Sequence, residues 1–152
     1  MKTYNNARHH SLVFITSMLI ILFFYTAVSK LMDLKEFHRQ LANQTLPDWS
    51  VAPLLWLIPF SELLVSILLV FSSTRRIGFY GSALLMLSFT GYVGLVLLNV
   101  FGRVPCSCSN LIRNMGFTAH FFLNLFFLTL SVLGIYMSNA QRKGGPVAAS
   151  DL

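Results

Sequence analysis

The sequence is poor in charge: 11% of its residues are Asp, Glu, Lys or Arg, and only five of its 152 are acidic. Set beside 55% hydrophobic residues, that scarcity excludes an ordinary soluble domain, in which about a quarter of the chain is charged. Strand-like alternation over about ten residues is missing too, which removes a transmembrane β-barrel. The basic residues give a formal net charge of +6, but they are scattered over both ends and every connection instead of gathered on one face, so no nucleic-acid partner is expected. Cysteine is nearly absent. There are two, with no C-x-x-C motif and no second pair. His9, His10 and His38 are not spaced as metal ligands.

What the sequence has instead is long apolar runs, at about 11–32, 51–71, 77–101 and 117–137. Each suffices to cross a hydrocarbon core of about 30 Å as a helix of roughly 20 residues, and in lipid the backbone must satisfy its own hydrogen bonds. The fold expected is all-α: one polytopic membrane domain over 1–152, a four-helix bundle in a lipid bilayer. The connection from Ser72 to Arg76 is too short for anything but an antiparallel hairpin. Gly78, Gly81, Ser82, Ser88, Gly91 and Gly94 in the third run are small enough to let helices approach closely. Pro59 removes a backbone donor from the second run and predicts a kink between Leu55 and Pro59. The first ten residues and the tail from Asn139 read as disordered ends.

Orientation follows from the basic residues. With the N-terminus inside, Lys2, Arg8, Arg75, Arg76, Arg142 and Lys143 lie on the inner side and Lys35, Arg39, Arg103 and Arg113 on the outer, with Lys30 at the boundary. That bias favours cytoplasmic termini and puts RVPCSCSN on the outer face. A cleaved leader is the alternative for the first run, since Lys2 and Arg8 precede it and Ala27-Val28-Ser29 offers small residues at a cleavage-like position. In the first outer connection, Leu34, Phe37 and Leu41 share one helical face, which predicts a short amphipathic helix lying flat on the membrane. Asp33 with Glu36 has the form of a capping box, and Trp49 suits the interface.

Five polar residues stand out. Glu62 falls nine residues beyond Pro53 in the second run, roughly 13 Å deep, where a charged carboxyl costs on the order of 3 kcal/mol. It reads either as a proton-relay or substrate-site group or as a hydrogen-bonded hub between helices. Lys30 is the nearest candidate cation for it, but it is close to the outer surface, so pairing requires both side chains to reach toward one another and snorkelling is the favoured expectation. His120 and Asn124, one turn apart, are candidates to polarise a thiol or bind a polar ligand, against the plainer reading of hydrogen-bonded packing. Asn99 is a similar case.

The two cysteines, Cys106 and Cys108, lie in the polar stretch RVPCSCSN before the fourth run. Nearby Arg103 and Arg113 favour the thiolate, and an oxidising outer face permits a disulfide. A ring closed over three residues stabilises a fold by only about 1.6 kcal/mol before strain, which suits a redox couple better than a staple. The competing chemistry is soft-metal binding, with two thiolates suited to copper(I) or zinc, His120 as a third ligand and Met115 as a weak addition.

The run SKLMDLKEF closing the first apolar segment, PFSELLVSILLV in the second and GRVPCSCSN before the fourth resemble the MauE/DoxX family of redox-associated membrane proteins in order and spacing. The resemblance covers about 12–136. It implies thiol-disulfide exchange or the maturation of exported proteins; joined to the reading of the residues, that makes Cys106 and Cys108 the redox pair, with His120 and Glu62 in proton or thiol-tuning roles. The partners implied are a periplasmic thioredoxin-fold protein or an exported disulfide-containing client, such as the small subunit of methylamine dehydrogenase. It also implies architectural kinship with DsbB and vitamin K epoxide reductase, which pass electrons to a quinone; this chain has no second cysteine pair to support that cofactor. Thiol-disulfide oxidoreductase activity is one reading of the resemblance, and a non-enzymatic assembly or soft-metal-handling factor is the other.

Overall fold

A computed structural model describes residues 2–44, 47–98, 100 and 117–143. Five helices make it up: α1 (Lys2–Met32), α2 (Leu34–Ala42), α3 (Asp48–Val70), α4 (Arg75–Leu97) and α5 (Phe117–Lys143). Four contain stretches long and apolar enough to cross a membrane, namely His9–Met32, Trp49–Val70, Arg75–Leu97 and Thr118–Ala140. This is the expected polytopic helical bundle. Its outer surface is apolar, with Phe14, Ile21, Leu57, Leu84, Phe122 and Tyr136 among the large exposed side chains, as lipid-facing helices require.

The ends differ from the expectation of disorder. α1 is helical from Lys2, and α5 continues past Asn139 to Lys143. Once a helix is nucleated, each added residue gains a hydrogen bond at small cost, so a span extends into polar sequence that contains no proline or glycine.

Contacts run α1 to α3, α3 to α4, α4 to α5 and α5 back to α1, closing a four-membered ring. Leu12, Ile15, Leu19 and Phe23 of α1 meet Val65 and Leu69 of α3, Phe79 and Met86 of α4, and Phe127 of α5 in one core cluster. The α3–α4 hairpin is closed by the Thr74 hydroxyl, which donates to the Leu68 carbonyl at 3.0 Å. It packs so tightly that a Cβ on Gly78 would lie 2.9 Å from the Leu69 nitrogen. Of the other small residues in α4, Gly81 and Ser82 sit at contacts, whereas Ser88 is exposed and Gly91 faces open space. The closest approach belongs to Gly134 of α5, where a Cβ would stand 2.3 Å from the Phe79 ring. Helix α3 is unbroken through Pro53 and Pro59.

The amphipathic α2 forms as expected, with Asp33 accepting from the Glu36 N–H at 3.0 Å. Its apolar face is turned to protein. Phe37 and Leu41 are buried with Val51 and packed on Leu54, Leu55 and Ile58 of α3. The reason is proximity: five residues after α2 ends, α3 begins and presents an apolar wall. The Tyr92 hydroxyl of α4, 2.6 Å from Gln44 Oε1, ties the segment after α2 to α4.

Candidate functional site

Beneath α2 the four long helices leave a cavity of about 280 Å³. Each wall is one face of a helix. α1 contributes Leu22, Thr26 and Lys30, four residues apart, and α3 contributes Leu54, Ile58 and Glu62 at the same spacing. α4 supplies Met86, Phe89, Tyr92 and Val93, while α5 supplies His120, Leu123, Asn124 and Phe127. Phe37, Gln40 and Leu41 of α2, with Gln44 just beyond it, complete the lining. Steps of three and four residues keep side chains on one helical face, so the cavity follows from ordinary helix geometry applied to these positions.

The cavity is apolar apart from a few groups, and these are unusual. Lys30 Nζ forms an ion pair with Glu62 Oε1, joining α1 to α3. The Glu62 side chain is 2% exposed and that of Lys30 16%. Lys30 therefore turns inward instead of snorkelling outward. The depth of Glu62 explains the correction. Glu62 lies 13 residues into the span Trp49–Val70, roughly 20 Å of helix, where an unpaired carboxylate would be costly. The long lysine stem can cross from the end of α1 to reach it. The ammonium also stands 5.7 Å from the ring centroids of both Phe37 and Phe89, near enough for cation–π attraction to each.

Around this pair the hydrogen bonding is incomplete. Glu62 Oε2, His120 Nδ1 and Asn124 Nδ2 are buried without a hydrogen-bond partner among the described residues. Leaving a buried polar atom unanswered costs about 1–3 kcal/mol, and three such atoms belong to residues that line one cavity. That arrangement can hold a polar group, pass a proton between neighbours, or be hydrated.

Of the candidate residues, Glu62, Lys30, His120 and Asn124 are thus brought to one site. Cys106, Cys108, Asn99 and Met115 lie outside the described residues. His9, His10 and His38 are exposed and away from the cavity. Among the described residues no group of three His, Cys, Asp or Glu could hold a metal ion. Sequence reasoning did not single out Thr26, Gln40, Gln44 or Tyr92; of these Thr26 carries a signal, one turn before Lys30 on the same face of α1.

The family model of methylamine utilisation protein MauE matches residues 8–137, most of the chain. No curated protein and no solved structure matches.

Proposed function

The chain belongs to the MauE family, and from that premise we propose that this multi-pass membrane protein carries out thiol-disulfide exchange with Cys106 and Cys108 as its redox pair. The observation that carries the reading is the placement of those two thiols in sequence. They stand one residue apart, and the chain enters α5 nine residues after Cys108. The first turns of α5 bring His120 and Asn124 to the polar side of the cavity. A thiolate of a thioredoxin-fold partner or an exported client attacks the Cys106–Cys108 bond, giving a mixed disulfide and one released thiolate. A second partner thiolate then resolves it. One disulfide is lost here as one forms there, so the two electrons need no third reactant. His120 serves in this scheme as the local proton acceptor and donor, and Glu62 holds the Lys30 charge that sets its surroundings.

The same reading puts the termini in the cytoplasm and the cysteines on the outer face of a bacterial inner membrane, where disulfides persist. The family description makes a protein of methylamine metabolism the first client to try, the disulfide-rich small subunit of methylamine dehydrogenase.

Trapping tests the proposal. In intact spheroplasts a membrane-impermeant thiol reagent should label both cysteines after mild reduction. Cys106→Ser and Cys108→Ser should each accumulate a mixed disulfide with the partner, since exchange passes through that species. The double Ser variant should lose exchange and little stability, because closing so short a ring is worth only about 1.6 kcal/mol. Full activity of the double variant in cells, or an unbridged native pair holding one metal ion per chain, would sink the redox reading.

A further inference from the structure

The cavity under α2 has the size, lining and unanswered atoms of a small-molecule site. At about 280 Å³ it is nearly twice the roughly 150 Å³ of an apolar protein cavity that takes up benzene, which sets its occupant at about a dozen non-hydrogen atoms. Phe89 and Phe127 are among the aromatic walls. A flat ring therefore fits better than a branched chain.

Charge narrows the class further. Lys30 and Glu62 already neutralise one another, so a ligand with net charge would bring an uncompensated charge into an apolar, membrane-embedded space. An ammonium ligand would also have to displace Lys30 from Glu62. The occupant is uncharged. It is not plain hydrocarbon either, because Glu62, 2% exposed, and Asn124, 7% exposed, line the cavity and each keeps a buried atom without a hydrogen-bond partner among the described residues, Oε2 and Nδ2 respectively. The first can only accept a hydrogen bond when ionised and the second can only donate. A group able to do both, a hydroxyl, can meet either atom; a carbonyl can meet only Asn124. Water alone answers the polar end but not the apolar remainder, since each buried water needs two to four polar partners.

We propose that this cavity binds an uncharged, lipid-soluble ring compound carrying a hydroxyl group, with the hydroxyl at the Glu62 and Asn124 side and the ring among the phenylalanines. This site uses neither cysteine, although it shares Glu62 and His120 with the exchange scheme.

The probe is 1-naphthol, a neutral hydroxylated ring of suitable size, offered to the full-length protein in lipid nanodiscs and followed by equilibrium dialysis against protein-free discs. Saturable uptake of one molecule per chain above the partition into lipid is expected. Naphthalene, which lacks the hydroxyl, and 1-naphthoate, which is charged, should each bind at least about tenfold more weakly. Val93→Phe places a ring in the cavity from a buried lining position and should abolish saturable uptake, while Asn124→Leu should weaken it by about tenfold. Helical content by circular dichroism verifies folding, and Leu123→Phe is the second cavity-filling variant should Val93→Phe not fold. The Cys106→Ser, Cys108→Ser double variant should bind as the parent does, which separates this site from failure of the exchange chemistry. Uptake no greater than that of empty discs would overturn the proposal, as would saturable uptake that survives cavity filling, or naphthalene binding as tightly as 1-naphthol.

Discussion

Breaking the Lys30–Glu62 pair from either side should harm the fold far more than deleting the pair altogether. Removing one partner of a buried ion pair costs about 3–5 kcal/mol, because the survivor is left charged and unpaired, whereas replacing both by apolar groups is often neutral or stabilising. The geometry orders the two single changes. After Glu62→Leu, the ammonium keeps 16% exposure and two aromatic rings at 5.7 Å, contacts worth about 0.5–2 kcal/mol apiece, so the loss belongs near the lower limit, about 3 kcal/mol. After Lys30→Met, the carboxylate is only 2% exposed, with far less water to meet its charge, so the loss belongs near about 5 kcal/mol. The combined Lys30→Met, Glu62→Leu variant should fall within about 1 kcal/mol of the parent. Glu62→Gln, which keeps the shape and a hydrogen bond to Lys30, should be milder than Glu62→Leu. Equilibrium unfolding in bicelles, followed by far-ultraviolet circular dichroism, reads all four. Single losses that simply add in the combined variant would show that the two side chains are not coupled. Normal stability of Glu62→Lys would place the residue in water or at the lipid surface.

Helix packing offers two further tests. Gly134→Ala pushes a methyl group to 2.3 Å from the Phe79 ring and should cost about 1–3 kcal/mol as overpacking, with partial rescue by Phe79→Leu; Gly91→Ala meets nothing within 4 Å and should be neutral or stabilising by up to about 1 kcal/mol from helix propensity. Equal effects at the two glycines, measured by thermal unfolding, would contradict the packing of α4 on α5. Tyr92→Phe deletes the hydroxyl that lies 2.6 Å from Gln44 and should cost about 1 kcal/mol, with faster amide exchange confined to α2 and the chain just after it. Uniform acceleration across all helices would show that this contact supports the whole bundle.

The spans were legible because lipid allows so few answers: runs of about twenty apolar residues must be helices, and the observed spans such as Trp49–Val70 need no tertiary information to foresee. Which small residues pack was not legible in the same way. Gly78 and Gly91 look alike in sequence, yet one abuts the Leu69 backbone and the other faces open space, since rotation of α4 about its own axis is set by its neighbours. Gly134 escaped notice because a single glycine in a span carries no motif, although it marks the tightest contact with Phe79. The α2 face shows the same limit. Phe37 and Leu41 mark an apolar stripe whether lipid or α3 covers it.

The site was half legible. Glu62 stood out by depth alone, and His120 and Asn124 by their spacing, but Lys30 was expected at the water boundary because a residue near a helix end has two low-cost outlets, upward to solvent or inward to a counter-charge. The inward outlet wins where a buried carboxylate waits, and only the packing of α1 against α3 decides whether the stem can reach it. Once that pair is known, the lining from α1 and α3 falls out of periodicity: Lys30 brings Thr26 and Leu22, and Glu62 brings Ile58 and Leu54, while His120 brings Leu123, Asn124 and Phe127 on α5, each by steps of three or four. Two helices that share one buried ion pair therefore fix the facing stripes of both, and those stripes outline a cavity before any side chain is placed.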